Sequence, residues 1–365
     1  MQIFEQILRG AVASGASDIH LKAGVPITFR ILRDLVPVEA PDVTPEWVER
    51  VVNQIVPPHL RATLESEHEI DFAYAPPGLG RFRVNVFQQR GGYALSMRLV
   101  KASMQNFQGL NLPEAVRKIA EAPRGIVIIA GATGSGKSTT LAAMIEHINQ
   151  TARKHIITLE DPIEYLFTDR MAIIEQREVG LDTGSFASGL KNVLRQDPDV
   201  LVIGEMRDPE SIAAAISAAN IGHLVISTLH TGDAAKSIQR ILDFFPTGDR
   251  EGARQQLATT LHAVVCQKLI PATQGGVLPA VEILLNNPTV AKVIQSGNLA
   301  KLSAAIEMGI GDGMQTFDQG LHEMVKSGKI TQEAALDHSP TPEALRMRLQ
   351  GVVLSESRRI LGSRD

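Results

Sequence analysis

Apolar residues recur at helical spacing in two stretches near the start of the chain. Residues 4–13 have apolar positions three and four apart, which predicts an amphipathic helix. Thr44 is a typical N-cap for a second helix, which is predicted to run through Val56 and to end at Pro57-Pro58.

Four other stretches alternate apolar and polar residues with a period of two, as strands do. The alternating stretches are residues 17–21, 27–32, 80–87 and 93–99. The turn between the last two stretches, Gln88 to Gly92, predicts a β-hairpin. Together with the two helices, the strands predict a small α+β domain over residues 1–100.

A second pattern begins further along the chain. Between residues 125 and 270, short apolar runs alternate with helix-like segments, which predicts an α/β domain with a mostly parallel sheet flanked by helices. Residues 287–361 read as largely helical. Residues 101–113 have no strong period and read as an interdomain linker, so the second domain is expected to span residues 114–365.

Composition narrows the class of protein. The chain has 365 residues, 44% hydrophobic, and a net charge of −4, which is typical of folded domains and gives no support to a general nucleic-acid surface. Cys266 is the only cysteine, so a tetra-cysteine zinc site is excluded. No stretch has the ~20 apolar residues of a membrane span, and no signal peptide is evident, so a cytoplasmic protein is expected.

The most specific motif is a glycine-rich turn at residues 131–138, which follows an apolar strand-like run and precedes a helix-like segment. This is the context that a P-loop requires, because backbone N–H groups of the turn and of the helix start surround phosphate oxygens. Lys137 is predicted to reach the β- and γ-phosphates of ATP, and the Ser138 hydroxyl to bind Mg²⁺. The predicted nucleotide-binding residues are Gly131, Thr133, Gly134, Ser135, Gly136, Lys137, Ser138 and Thr139.

Two acidic segments follow two further apolar runs. Residues 160–164 read Glu-Asp-Pro-Ile-Glu, and residues 204–208 read Gly-Glu-Met-Arg-Asp. Open α/β sheets place their sites at the carboxyl ends of their strands, so these acids are candidates for organising a metal or water at a bound phosphate. In the second segment Gly204 fills the position where an aspartate is usual, which leaves Glu205 as the acid.

Two smaller features remain ambiguous from the residues alone. His223 and His230 bracket a strand-like run, and His230 would stand at its carboxyl end, although a structural role for a single histidine is also open. Arg83 and Arg98 alternate with apolar neighbours in the predicted hairpin. They are either solvated surface arginines or cations presented to a phosphate.

These motifs together resemble one family, the secretion-type hexameric ATPases, and within it the type IV pilus retraction ATPases of the PilT/PilU kind. The matching segments are the N-terminal signature at 17–21, the Walker A box at 131–138, the acidic box at 160–164, the atypical Walker B segment at 204–208 and the histidine box at 223–230. The resemblance covers nearly the whole chain. It implies a RecA-like P-loop ATPase core preceded by a small PAS-like α+β domain.

The resemblance also implies roles for individual residues. Glu164 is implied as the acid that activates the attacking water, Glu205 as the Walker B acid near Mg²⁺, and His230 as a neighbour of the γ-phosphate. Arg83 and Arg98 are implied as charge stabilisers that the N-terminal domain presents to ATP.

Arg195 and Arg207 are weaker candidates for the same stabilising role. The implied partners are further copies of the same chain in a homohexamer, an inner-membrane pilus platform protein and, in an accessory reading, a PilT-type paralogue. The implied location is the cytoplasmic face of the inner membrane.

Some segments depart from the PilT pattern. Residues 289–294 read Thr-Val-Ala-Lys-Val-Ile where PilT-type proteins usually have Ala-Ile-Arg-Asn-Leu-Ile, and residues 284–288 and 343–347 are closer to the PilU type. Ile221 stands where a threonine usually precedes the histidine box. These departures favour an accessory retraction motor as the alternative to an independent one.

Three other classes of protein were weighed. A nucleic-acid motor stays open because RecA-like rings also move DNA, but the negative charge and the lack of a basic aromatic stripe argue against it. A scaffold that binds ATP without hydrolysis is opposed by Glu164 and Glu205. A small-molecule kinase is the least favoured, because no separate acceptor pocket is evident.

Overall fold

The computed structural model describes residues 2–32, 34–38, 43–100 and 107–351. The chain divides into two compact units, one formed by residues 1–103 with 162–166 and the other by residues 104–161 with 167–365. The sequence pattern does not predict that residues 162–166 group with the first unit. Of the predicted linker, residues 101–106 lie outside the described residues.

The first unit has three helices and six strands among its described residues. Its elements are α1 (Gln2–Ala13), β1 (Asp18–Lys22), β2 (Thr28–Ile31), β3 (Asp34–Pro37), α2 (Pro45–Ile55), α3 (Arg61–Glu67), β4 (Glu69–Tyr74), β5 (Phe82–Gln89) and β6 (Gly92–Leu99). The strands form one antiparallel sheet in the order β3-β2-β1-β6-β5-β4. A 3₁₀ turn at Pro58–Leu60 follows α2.

The alternation in the sequence matches the burial of this sheet. Ile19, Leu21, Phe82 and Met97 are almost fully buried and share a core with the apolar sides of α1 and α2. Their neighbours along each strand therefore lie on the opposite, polar face.

The predicted helix start and hairpin of this unit are confirmed. The Thr44 side chain accepts a hydrogen bond from the Trp47 N–H, as an N-cap does. β5 and β6 pair antiparallel, and the loop between them is only Arg90-Gly91, both with positive φ. Two positive φ angles are typical of the tight type I′ turn, whose twist suits a hairpin.

The second unit begins with two short helices and a buried strand. Its elements up to residue 229 are α4 (Phe107–Leu110), α5 (Glu114–Ala120), β7 (Gly125–Ala130), α6 (Lys137–Thr151), β8 (His155–Glu160), β9 (Ile173–Glu178), α7 (Phe186–Val193), β10 (Val200–Ile203), α8 (Pro209–Asn220) and β11 (Leu224–Leu229).

The remaining elements complete the sheet and add a group of helices. They are α9 (Ala234–Asp243), α10 (Arg250–Thr260), β12 (Leu261–Pro271), β13 (Val277–Leu285), α11 (Pro288–Ser296), α12 (Leu302–Met308), α13 (Phe317–Lys326), α14 (Gln332–His338) and α15 (Pro342–Leu349), with 3₁₀ turns at Leu299–Lys301 and Gly309–Asp312. The predicted helical C-terminal part is confirmed as far as Leu349, and residues 352–361 of that prediction lie outside the described residues.

The seven strands form one sheet in the order β13-β12-β7-β11-β10-β8-β9. All neighbouring strands are parallel except β12 and β13, which confirms the prediction of a mostly parallel α/β sheet. β7, β10 and β11 are buried along their whole length, because helices cover both faces of the sheet. The strand β9 was missed in the sequence, since its residues are only partly buried.

Within the described residues, no helix combines the length and the apolar character needed to cross a membrane.

Candidate nucleotide-binding site

The glycine turn connects the end of β7 to the start of α6. Gly131 has φ 155° and Gly136 has φ 87°, and both lie against neighbouring groups. A Cβ at Gly131 would come within 2.4 Å of Ser135 Oγ and 2.5 Å of the Gln267 carbonyl oxygen, and a Cβ at Gly136 within 2.7 Å of Gln267 Nε2. Only glycine therefore fits at either position.

Gln267 holds the turn from the neighbouring strand β12. Its Nε2 donates to the Ser135 carbonyl oxygen at 2.7 Å, and its Oε1 accepts from Thr140 Oγ1 at 2.7 Å. Gln267 was missed in the sequence analysis. The available signal was a polar residue inside an apolar strand, where burial requires its amide to be hydrogen-bonded.

Lys137 lies inside the turn and is 8% exposed. Its Nζ donates to the carbonyl oxygens of Gly131 and Ala132 at 2.8 and 3.1 Å. The ammonium group is thus held at the centre of the loop, where an anion would meet a desolvated positive charge.

Two observations fit this turn to a phosphate group. Ser135 Oγ is buried and has no hydrogen-bond partner among the described residues. The N-cap residue of α6 is Gly136, and no side chain of the described residues caps this helix start. A phosphate oxygen would serve both, because helix starts carry unpaired N–H groups and a partial positive charge. Ser138 and Thr139, in the first turn of α6, are both partly buried.

Glu205 lies at the centre of a polar network beside the turn. It follows β10, and its Oε2 accepts a hydrogen bond from Arg207 Nε at 2.9 Å and forms an ion pair with Arg207 Nη2 at 2.8 Å. His230 follows β11, with its Nε2 3.5 Å from Glu205 Oε1 and its Nδ1 3.4 Å from Thr133 Oγ1. Arg207 also lies 3.3 Å from Asp161. The structure thus brings residues of four separate predicted motifs together at the carboxyl edge of the sheet.

The pairing with Glu205 also changes the electrostatics of Arg207. The hydrogen bond from the guanidinium to the Glu205 carboxylate raises the pKa of Arg207 above its ordinary value. Arg207 is therefore a permanent cation that occupies one oxygen of the Glu205 carboxylate in this structure.

The glycine that replaces the usual Walker B aspartate has a steric explanation. A Cβ at Gly204 would lie 3.2 Å from the Leu159 carbonyl oxygen and 3.3 Å from Glu160 Cα. The Gly204 carbonyl oxygen accepts a hydrogen bond from Thr228 Oγ1 at 2.6 Å. The ends of β8 and β10 therefore lie so close that a side chain at this position would force the main chain of β8 to shift slightly.

The other acidic segment is divided between the two units. Glu160 ends β8, and its Oε1 accepts hydrogen bonds from Thr158 Oγ1 at 2.7 Å and Gln176 Nε2 at 3.1 Å. Glu164 is exposed and lies in the segment 162–166 that groups with the first unit. Its assignment as the acid that activates water stays a prediction.

The two histidines of the bracketed strand are separated by its length. His223 precedes β11 at its amino end, where its Nδ1 lies 3.0 Å from the Ala218 carbonyl oxygen at the end of α8. His223 is therefore remote from the glycine turn and has a structural contact of its own. Only His230 belongs to the site. Arg195 is exposed after α7, and its assignment stays a prediction.

Arg83 and Arg98 lie on the polar face of the first unit's sheet. They are direct cross-strand partners on β5 and β6. Arg98 Nε donates to Asp18 Oδ1 at 2.8 Å, and Arg83 Nε lies 3.7 Å from Asp71 Oδ1. The surface reading and the phosphate reading of these arginines both remain compatible with this placement.

A glycine turn between a buried strand and a 15-residue helix, with an acid and a histidine at the next strand ends, defines a P-loop nucleotide-binding protein. The chain belongs to the family of type II/IV secretion system proteins, whose family model matches residues 1–276.

Individual relatives are similar over almost their whole length. The type IV pilus ATPase PilU of Pseudomonas aeruginosa is 41% identical over 349 residues, which cover 95% of this chain and 91% of PilU. The retraction ATPase PilT of the same organism is 38% identical, with 93% of this chain and 98% of PilT covered. A crystal structure of the pilus retraction motor PilT with bound ADP superimposes with a TM-score of 0.86 at 42% identity, covering 93% of this chain and 97% of that one.

Proposed function

We propose that this chain hydrolyses ATP to ADP and phosphate and uses the reaction to drive retraction of type IV pili. The observation that carries the proposal is the network that joins Thr133 of the glycine turn, His230 and Glu205 at the carboxyl edge of the sheet. Binding of phosphate alone requires only the turn, whereas hydrolysis also requires an acid beside it. The relatives named for pilus retraction and for a pilus ATPase support the mechanical part.

The proposed roles follow from the chemistry of each group. The glycine turn and the start of α6 bind the phosphates, and Lys137 neutralises their charge. Ser138 and Glu205 would hold Mg²⁺, which supplies charge neutralisation at the phosphates when bound. Hydroxyl and carboxylate oxygens are the ligands that this cation prefers.

The remaining roles concern the reacting water and the terminal phosphate. Glu164 accepts a proton from the attacking water, and His230 senses the γ-phosphate through its contacts with Glu205 and Thr133. Arg83 and Arg98 neutralise negative charge on the phosphates, for which the planar guanidinium is well suited.

Work would follow from the loss of the γ-phosphate. Groups that contact the γ-phosphate favour one arrangement of the chain. After hydrolysis these groups lose that contact and the arrangement is released, so each turnover moves one part of the protein against another. We propose a homohexamer at the cytoplasmic face of the inner membrane, acting on the pilus platform protein. No nucleic-acid partner is proposed.

A gene deletion tests the mechanical part of the proposal. The expected result is an excess of surface pili with loss of twitching motility, restored by the wild-type gene and not by a Lys137→Ala gene. Bald cells would contradict retraction, because they indicate a defect in pilus assembly.

An accessory role is the second candidate. It is favoured by residues 289–294, which depart from the PilT pattern, and by the similarity to PilU. The independent role and the accessory role can be separated in cells that lack every other pilus ATPase of the retraction type. This chain is expressed in those cells and pilus retraction is measured. Retraction in those cells supports an independent motor, and retraction only beside a PilT-type partner supports the accessory role.

A further inference from the structure

One row of charged side chains crosses the sheet of the first unit. Asp18 on β1 is the direct cross-strand partner of Arg98 on β6, and Arg98 is the direct partner of Arg83 on β5. Residues directly opposite each other project from the same face of a sheet. The three side chains therefore stand side by side across β1 and the β5–β6 hairpin, which are about 60 residues apart in the sequence.

Asp18 is buried although it is an acid. Its side chain is 8% exposed, whereas the side chain of Arg98 is 69% exposed. Asp18 Oδ1 accepts the Nε–H of Arg98 at 2.8 Å, and Oδ2 accepts the Ser17 hydroxyl at 2.8 Å. Burial by itself raises the pKa of the Asp18 carboxyl, but the hydrogen bonds from Ser17 and Arg98 outweigh it, and the pKa lies below its usual value. Asp18 is thus a fixed anion at neutral pH.

The hydrogen bond has a specific consequence for Arg98. It is made by Nε, the guanidinium nitrogen nearest to the main chain, so the base of the side chain is anchored. The side chain as a whole is 69% exposed, and its two terminal nitrogens are not used by this hydrogen bond. A planar guanidinium that is held by one edge can present its other edge to an anion.

An anion beside Arg98 stabilises this position against a like charge on its other side. Like charges on directly opposite strand positions destabilise a sheet, and Arg83 is the like charge opposite Arg98. Asp18 offsets that repulsion from the other side of Arg98.

Arg83 has a weaker partner of the same kind. Asp71 on β4 lies 3.7 Å from Arg83 Nε, with both side chains about half exposed at 55% and 48%. Exposed ion pairs of this length contribute little. The sheet face therefore carries one anchored arginine and one loosely paired arginine.

We propose that Asp18 is a positioning residue, which holds the Arg98 guanidinium in the orientation that contacts the γ-phosphate of ATP. The inference rests on the proposed function, because it assumes that Arg98 acts on the nucleotide. Asp18 Oδ2 also lies 3.9 Å from Arg30 Nε on β2, and the proposed effect on the nucleotide is the one that acts through Arg98.

A double-mutant cycle tests the inference. The full-length variants Asp18→Asn, Arg98→Gln and the double variant are compared by kcat and KM for phosphate release. The ratio of affinities for AMP-PNP and ADP is measured in parallel, since it reports γ-phosphate contact without hydrolysis. Asp18→Asn keeps the size of the side chain and removes its charge. The matched control is Asp71→Asn, which removes the acid beside the other arginine.

The expected effects are graded. Arg98→Gln lowers kcat by about a hundredfold, in the range of losing one charge-stabilising donor. Asp18→Asn lowers kcat and the AMP-PNP to ADP ratio by about tenfold, as expected for a displaced catalytic group. Asp71→Asn changes either quantity by less than about twofold. The double variant equals Arg98→Gln, because Asp18 has no further effect once Arg98 is gone.

Other outcomes separate the failure of the inference from that of the function. An Asp18→Asn protein with wild-type kcat and affinity ratio, or with the same loss in the Arg98→Gln background, overturns the positioning role. A wild-type protein that binds neither nucleotide overturns the proposed function and the inference with it.

A thermal melting curve of each variant accompanies the cycle. If Asp18→Asn does not fold, the test uses Ser17→Ala instead. That variant removes one hydrogen bond to Asp18 and is expected to lower the affinity ratio by about twofold, while an unchanged ratio contradicts the role.

Discussion

The glycine turn of the second unit and the arginine row of the first unit (Asp18, Arg98 and Arg83) present positive groups in two different ways. In the turn, the geometry is set by main-chain atoms, with Lys137 buried and bonded to two carbonyl oxygens. In the row, the geometry is set by side chains, and Arg98 is 69% exposed with a single buried anchor. A main-chain cradle is fixed once the chain folds, whereas an exposed arginine needs a partner to define its direction.

The difference has a consequence for how each region responds to change. Substitutions that alter main-chain space should damage the fold of the turn, whereas in the row, where side chains set the geometry, the substitutions that alter charge should have the effect. Substitutions in and around the two regions test this contrast.

Lys137→Ala removes the positive charge at the centre of the turn. We expect phosphate release to fall by about a thousandfold, at the upper end of the loss of one preorganised charge-stabilising group. The measurement is steady-state phosphate release from ATP. Lys154→Ala is the control, because Lys154 is an exposed lysine of the same unit, paired with Asp199 at 3.1 Å. Equal effects of the two substitutions would contradict the assignment.

Gly131→Ala tests whether main-chain space defines the turn. Its Cβ would overlap Ser135 Oγ and the Gln267 carbonyl oxygen, so we expect the free energy of unfolding to fall by about 3 kcal/mol. Gly134→Ala is the matched variant, with φ 80° and no atom within 4 Å of the added Cβ. It should cost only about 1 kcal/mol, the conformational penalty alone. Urea unfolding of both variants gives the comparison, and similar losses would argue against a cradle defined by close contacts.

Two buried acids provide a test by pH. Asp18 has a lowered pKa, whereas burial raises the pKa of Glu282 on β13 to about 7, although the Ala234 N–H partly stabilises its charge. An acid whose pKa is raised by folding binds its proton more tightly in the folded state than in the unfolded state. The stability of the wild type should therefore fall as pH rises from 4.5 towards 7.

Glu282→Gln removes this dependence, because glutamine keeps an acceptor for the Ala234 N–H. We expect the variant to gain about 2 kcal/mol over the wild type between pH 5 and pH 8, as the linkage relation gives for a shift of this size. Urea unfolding at both pH values measures the gain. Glu65→Gln, at an exposed position on α3, is the control. A parallel pH dependence of wild type and Glu282→Gln would contradict the explanation.

Ile221→Thr should have the smallest effect. Ile221 is 64% exposed between α8 and β11, and exposed substitutions without special contacts change the free energy of unfolding by less than about 0.5 kcal/mol. Thermal melting measures the change. A larger loss would mean that Ile221 makes a packing contact that is absent among the described residues.

The contrast between the two regions also explains how much the sequence could predict. The glycine turn, Lys137 and the acids at strand ends are encoded within a few consecutive residues, and the structure places Thr133, Glu205 and His230 together as strand-end positions imply. Gln267 was missed because it contacts Ser135 from a strand more than a hundred residues away.

The arginine row shows the same limit. Alternation predicted that Arg83 and Arg98 each project from a sheet face, but the register that sets Asp18 beside Arg98 depends on pairing between β1 and β6. A one-residue shift in register would have turned Asp18 towards the core. The separation of His223 from His230 likewise follows from strand length, which the bracketing pattern does not convey.

Phosphate release by Glu164→Gln, measured together with its affinity for ATP, tests the central claim most directly. If acids from neighbouring segments act on a triphosphate bound by the glycine turn, affinity stays within about twofold of the wild type while release falls by about a hundredfold or more. Wild-type release by the Glu164→Gln protein would contradict the account.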